Sequence, residues 1–306
     1  MEWFVVMGVV VVVGSALRLW RRRRRPGSAV PTPEGHEEGR RVELVVPDDS
    51  GFSIEARATA FIDPPLDLGL EITRRSPWDP GVGGVSIPIR GFADRYLVRA
   101  DEEGRAAALL DSDLQRAIES VSETIAEVRL SDDRVVLAGQ EPDGERDAWL
   151  NELRRRCAAL ADGVERASLR VPVATGLVRY LGQWSAWART RGLEVGTAPL
   201  GAAGRLKDLE TAAWFERVAQ GRHRLRLRID LGVEAQDLSQ ADREALADLA
   251  RLGETEVRDG VLSLSCGLDH EPPELPPHMV DQAAAVAAGI RDRAQRAALG
   301  KSGPYR

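Results

Sequence analysis

Residues 126–139 read AEVRLSDDRVVLAG, and residues 255–267 read TEVRDGVLSLSCG. Each stretch holds two short runs in which apolar and polar residues alternate, split by a turn: Ser131-Asp132-Asp133 in the first, Asp259-Gly260 in the second. A period of two around Ser, Asp and Gly predicts a β-hairpin in both places. Working outward, both hairpins sit in the same surroundings. After the first, a helical pattern covers about 145–167, with Trp149, Leu153, Cys157, Leu160 and Val164 on one face. After the second, Pro276 and Pro277 open a long helix carrying Met279, Val280, Ala283, Ala287, Ile290 and Ala294. Before the first, Leu110, Leu114, Ala117, Ile118 and Val121 share a helical face; before the second, Ala245, Leu246, Leu249 and Leu252 do so. Leu238, Ser239 and Asp242 supply the staple, N-cap and capping-box positions of that later helix. The order helix, hairpin, long helix therefore occurs twice, which predicts a duplicated unit.

Strands complete the pattern. Val42, Leu44 and Val46 alternate with Glu43 and Val45, and Phe52, Ile54, Ala56, Ala58, Ala60 and Ile62 recur at every second position. Residues 66–72 alternate cleanly and read as a strand matching 223–231 (HRLRLRIDL) in the second unit; another short strand is predicted near 96–99. Leu177, Tyr180, Leu181, Trp184 and Trp187 predict a helix joining the units. The expected fold class is α+β: two related units of antiparallel sheet with helix–hairpin–long helix, preceded by one transmembrane helix. The expected boundaries are 1–20 for the anchor, 21–40 for a basic and then flexible linker, 41–170 for the first unit, and 171–306 for the connecting helix and second unit.

The anchor follows from residues 3–17, WFVVMGVVVVVGSAL, which carry no charge and which Leu19 and Trp20 extend past Arg18. Eighteen helical residues span about 27 Å, close to the roughly 30 Å of a hydrocarbon core. Trp3 and Trp20 bracket the run, as indole rings do at membrane interfaces. Arg21, Arg22, Arg23, Arg24 and Arg25 follow it, so the positive-inside rule places the N-terminus outside and the body in the cytoplasm of a bacterial inner membrane. A cleaved signal peptide has its positive charge before the apolar run, the reverse of this order. Residues 26–40, rich in Pro and Gly, read as a tether.

Composition bounds the chemistry. With 43% apolar and 29% charged residues the 306-residue chain is globular in class. Residues 1–25 hold six of its 42 basic residues and one of its 48 acidic ones, so the remainder carries a net charge of about −11. Phosphate backbones repel such a body, and nucleic acid is not an expected partner. Lys207 and Lys301 are the only lysines, an arginine bias pointing to a GC-rich bacterial genome. Cys157 and Cys266 cannot make a disulfide framework, and Cys157 falls on an apolar helical stripe as a small core residue.

No motif assigns a reaction. Cys266, Asp269, His270 and His278 lack the paired spacing of a zinc site, and no GxSxG elbow is present. Gly81 to Gly84 and Gly201 to Gly204 read as flexible turns without P-loop or dinucleotide spacing. Asp111, Asp113, Asp132 and Asp133 read as cap and turn residues. No cofactor or metal is expected. The arginine row Arg222, Arg224, Arg226 and Arg228 lies on one strand face, either as a surface for an acidic partner or lipid headgroup, or paired with neighbouring carboxylates. The stretch GFADRYLVRADEEGRAAALLDSDLQRAI at 91–118, with its aromatic start, acidic turn and double leucine, resembles an uncharacterised family of N-terminally membrane-anchored bacterial proteins of unknown function; WARTRGLEV at 187–195 is similar to a phrase in the same group. The resemblance implies membrane attachment and transfers no activity. Three functions stay open: a non-catalytic module holding a protein partner at the bilayer, a small-molecule or lipid sensor with a cleft between the repeats, and an unrecognised enzyme.

Overall fold

The computed structural model describes residues 35–37, 40–46, 55–75, 92–140, 146–219, 222–268 and 276–301. The apolar stretch 3–20, the arginines 21–25, the glycines 81–84 and the residues Asp269 and His270 lie outside the described residues. None of the described helices is long and apolar enough to cross a membrane.

The fold is α+β, with two antiparallel sheets. The first unit contains β1 (Gly35–Glu37), β2 (Arg40–Val45), β3 (Glu55–Phe61), β4 (Glu71–Arg74), α1 (Phe92–Arg95), β5 (Tyr96–Arg99), α2 (Glu103–Leu109), α3 (Ser112–Ser122), β6 (Glu127–Ser131), β7 (Arg134–Gln140) and α4 (Arg146–Ser168). The second contains α5 (Val178–Thr190), β8 (Glu194–Thr197), β9 (Leu200–Leu206), β10 (Leu209–Ala219), β11 (Arg222–Asp230), α6 (Gln240–Leu249), β12 (Glu254–Arg258), β13 (Val261–Gly267) and α7 (Pro276–Lys301). The sheet orders are β1-β2-β3-β7-β6-β4-β5 and β12-β13-β11-β10-β9-β8. Two hydrophobic cores meet near residues 171–174, Val171 belonging to the first and Ala174 to the second.

The repeat is real, and its alignment differs from the one the alternation suggests. In each unit the second hairpin strand pairs with a strand upstream of the short helix, β7 with β3 and β13 with β11. That strand pairs in turn with the one before it, β3 with β2 and β11 with β10. The counterpart of 223–231 is thus β3 and not residues 66–72. Of that predicted strand only 71–72 is in a sheet, at the start of β4; 62–70 runs as an irregular segment. Its backbone bonds go to the hairpin turn instead: Leu66 N donates to Asp132 O at 2.8 Å, and Gly69 N and Leu70 N donate to the Asp132 carboxylate at 2.8 and 3.0 Å. Leu66, Leu68 and Leu70 are buried, but so is Asp67 between them, so the period of two does not separate core from solvent here.

Two further expectations change. Part of the segment read as linker lies in the sheet, since Gly35–Glu37 pairs antiparallel with Arg40–Val42. Gly201 to Gly204 is not a turn but part of β9; a Cβ on Gly201 would come within 2.9 Å of Ala213 O, so a glycine is needed where β9 and β10 approach. The double leucine near 110 sits at a break between two helices, with Asp111 capping α3 by accepting from Leu114 N at 2.8 Å.

The small face of β3 (Ala56, Ala58, Ala60) lets α4 pack close: Cys157 Sγ lies 3.5 Å from Ala58 O and 3.4 Å from Val135 O. In the second unit α7 lays Val280, Ala283, Ala287 and Ile290 on the same side as Phe215, Leu225 and Leu227, and Trp184 meets the Phe215 ring edge-on at 5.0 Å. The predicted capping box forms. Ser239 N donates to Asp242 Oδ2 at 2.9 Å, and Arg293 of α7 donates to Asp242 Oδ1 at 2.6 Å. Burial works against the Asp242 charge, but the Ser239 and Arg293 bonds outweigh it and hold the carboxyl below its usual range. Asp242→Ala should therefore destabilise the chain by about 2 kcal/mol through loss of cap and bridge together. Urea unfolding at neutral pH measures this, and a change within error of zero would contradict it.

Candidate functional site

The two units meet where Asp63, Asp67 and Asp101 of the first face β10 and β11 of the second, and where Glu102 and Arg105 reach the connection at 172–175. At the centre is Arg105, on α2, with a side chain 4% exposed. Its Nη2 donates to Asp67 Oδ1 at 2.5 Å, Nη1 to Asp67 O at 3.0 Å, and Nε to Pro172 O at 2.7 Å in the connection between units. Glu102, one turn before, accepts from Thr175 N at 3.1 Å and from Thr175 Oγ1 at 2.6 Å. One short helix thereby holds both the 62–70 segment and the start of the second unit.

Three contacts then cross from the second sheet. Arg217 on β10 donates to both oxygens of Asp101, at 2.5 and 2.8 Å. Arg228 on β11 does the same to Asp63, at 2.5 and 2.9 Å. His223 Nε2 lies 3.9 Å from Asp67 Oδ2, both atoms buried and neither hydrogen-bonded. Gly69, at φ +63°, makes room for the Asp101–Arg217 bridge, because a Cβ there would come within 2.6 Å of Asp101 Oδ1.

Burial controls the charges of this junction. It raises the Asp67 carboxyl against the opposing pull of Arg105 and His223, and it lowers the His223 imidazole. Asp132 is pushed up to about 6 by burial, with a smaller push from Asp67, despite the bonds from Leu70, Gly69 and the charge of Arg217. Among the described residues no group of three His, Cys, Asp or Glu is placed to hold a metal. Cys266 is buried on β13, and its thiol is pushed up by burial, away from the reactive thiolate.

Beside the junction the units enclose a trough of about 790 Å³. Its floor is the outer face of β10 and β11, where Trp214 pairs in register with Arg226, and Glu216 with Arg224. Its opposite wall is Phe61 to Asp63, Pro65 and the end of α4. The arginine row is committed to carboxylates here: Arg224 and Arg226 both donate to Glu216, and Arg228 bonds Asp63 while its guanidinium sits 5.0 Å from the Trp214 ring centre. Arg222, at the start of β11, is exposed and does not line the trough. From Trp214 a second, apolar slot of about 290 Å³ runs under Pro64 and Leu66 towards Val195, Pro199 and Ala202.

No family model matches the chain, and no curated protein or solved structure is detectably similar to it. The site must be read from its own chemistry.

Sequence reasoning reached the arginine row and missed Trp214, Asp67 and Arg105. Trp214 is buried although it lies on the opposite face of β10 from Leu209, Ala213 and Phe215, while Glu210 on its own face is exposed. Both faces are buried only at 213–215, and there the run Ala212-Ala213-Trp214-Phe215 was the only signal. Asp67 was masked by an alternation that placed it on the solvent side.

Two predictions follow from the junction. Asp67→Ala leaves the Arg105 charge buried without its partner and should destabilise by about 3–5 kcal/mol, whereas adding Arg105→Met should restore much of that loss; equal losses in the single and double variants would show that the pair is not the unit of stability. Protonated Asp132 favours the folded state, because its folded pKa of about 6 lies above the unfolded value of 3.8. Relative to Asp132→Asn, the natural chain should lose stability, on the order of 2 kcal/mol, as pH rises from about 4 to about 7. Unfolding curves at both ends of that range check the sign, and a pH-independent difference would reject it.

Proposed function

We propose that this chain is a single-pass membrane protein of the bacterial inner membrane whose cytoplasmic body is a non-catalytic interaction module, with the trough between its two units as the place where a protein partner is held. The anchor rests on the uncharged run from Trp3, its closing Trp20 and the arginines 21–25. The same features support membership of the membrane-anchored family that 91–118 resembles. The observation that carries the module reading is the trough itself: it is walled by both repeats, open, and floored by an aromatic ring between charged groups, the composition of a binding surface with an anchor point. Buried Arg105 ties the 62–70 segment to the Pro172 carbonyl in the connection between the units, the kind of preorganisation a binding surface draws on.

A small-molecule or lipid sensor is the second reading, favoured by the apolar slot beside Trp214, whose volume is near the lower end for ligand pockets. The two readings differ in what the trough retains. Mild detergent extraction of the full chain followed by affinity capture should recover a stoichiometric protein, and Trp214→Ala should lose it. Capture of a small organic molecule in its place would favour the sensor. For the anchor, the full chain should sediment with membranes while a chain lacking residues 1–34 does not, and a C-terminal reporter should respond only inside the cell; a soluble full chain would refute the placement.

A further inference from the structure

His223 stands at the seam between the two units with nothing to bond to. It lies near the start of β11, in register with Arg217 of β10, so both side chains leave the second sheet on one face. Its side chain is 7% exposed, and Nε2 is buried without a hydrogen-bond partner. Across the seam, Asp67 Oδ2 of the first unit is also buried and unpartnered, 3.9 Å from that nitrogen. The gap is too long for a hydrogen bond.

Among the described residues, the charges that act on His223 are Asp67 in the 62–70 segment, Asp101, Arg105 on α2 and Arg217 on β10. They are already matched: Arg105 donates to Asp67, and Arg217 to Asp101. Two carboxylates against two guanidiniums leave no net charge to receive an imidazolium. Glu102 does not supply it, because its part-exposed carboxylate accepts from Thr175. On β11 itself Arg222 and Arg224 stand on the opposite face and carry positive charge. Asp132 faces Asp67 and Arg217 and completes the seam. A neutral ring is tolerated in this place. A charged ring would be buried without a counter-charge or an acceptor in reach, and burial accordingly lowers the imidazole from its ordinary 6.5.

We infer that His223 is an acid-operated release between the units: protonation of its ring drives the start of β11 away from the 62–70 segment and lets the two units part. The trough takes its walls from both units, so the release alters it whatever it holds. A group lowered in the closed form supports closure fully above 6.5, and that support is lost as pH falls below 6.5. Asp132 acts with the opposite sign, since its proton uptake near 6 favours the closed form. Variants separate the two contributions.

The test follows the distance between the units in the full chain. Arg116→Cys on the first unit and Arg251→Cys on the second are exposed sites for spin labels, while the native Cys157 and Cys266 are buried. Pulsed dipolar spectroscopy between pH 7.5 and 5.0 should show a separated population that grows by up to about tenfold per pH unit below 6.5. The Asp132→Asn chain should respond more strongly, and His223→Gln, neutral throughout, should keep one distance. Imidazole NMR gives a check on the unaltered seam: the His223 resonance, identified by its loss in His223→Gln, should titrate below 6.5. An unchanged distance distribution at pH 5.0 would overturn the release, as would a His223→Gln chain that responds like the natural one. Titration of His223 above 6.5 would reverse the sign and overturn it equally. Circular dichroism at pH 5.0 should be that of folded units; its loss would mean unfolding in place of release.

Discussion

Arg105 is the side chain on which the arrangement of the two units depends. Its guanidinium is cut off from water and donates to the Asp67 carboxylate and carbonyl and to the Pro172 carbonyl, with Glu102 Oε1 3.9 Å away. A buried ion pair is not by itself a strong source of stability, because both charges lose their hydration. Its consequence is geometric. The guanidinium satisfies one acceptor in the irregular segment 62–70 and another in the chain leading to the second unit, so these two pieces cannot separate without leaving a charge stranded in the interior. The bidentate pairs Arg217–Asp101, part-buried, and Arg228–Asp63, exposed, are weaker individually, and they act on surfaces the buried clamp has already brought together.

The groove is a by-product of how the duplication is arranged. In both units the long helix covers one face of the sheet, α4 against β2, β3 and β7, and α7 against β10 and β11. The second sheet is therefore left with a face that its own helices do not cover, carrying Trp214, Glu216, Arg224, Arg226 and Arg228. The first unit covers only part of that face. The remainder becomes the floor of the trough, and the charges along it are paired, Arg224 and Arg226 with Glu216 and Arg228 with Asp63 of the first unit. A sheet face with an indole at its middle and matched charges around it is unusual for plain solvent contact, and it accounts for a strand, 222–230, that is strongly basic on one side in an acidic protein.

The segment 62–70 shows how pattern and packing part ways. Its leucines alternate as a strand would, yet the hairpin turn at 131–133 takes its hydrogen bonds and Arg105 takes its aspartate. Competition for backbone partners decides such a segment, and the competitor is far away in sequence. The same holds at 200–202 of β9 and 213–215 of β10, where burial on both faces erased the alternation that made β11 plain.

Local physics was enough for much of this protein. The hairpins, the capped helices and the long apolar stripes are set by periodicities of two and near four and by residues such as Ser239, Asp242 and Pro276, which act within one turn of where they sit; the duplication and the α+β class follow from their order. The proposed anchor, too, rests on local composition. The pairing of β3 with β7, the burial of Asp67 against Arg105, the place of Trp214 and the open trough between the units were decided only by tertiary structure. Each depends on groups more than thirty residues apart competing for the same acceptor or the same buried space, and a linear pattern contains no term for that competition.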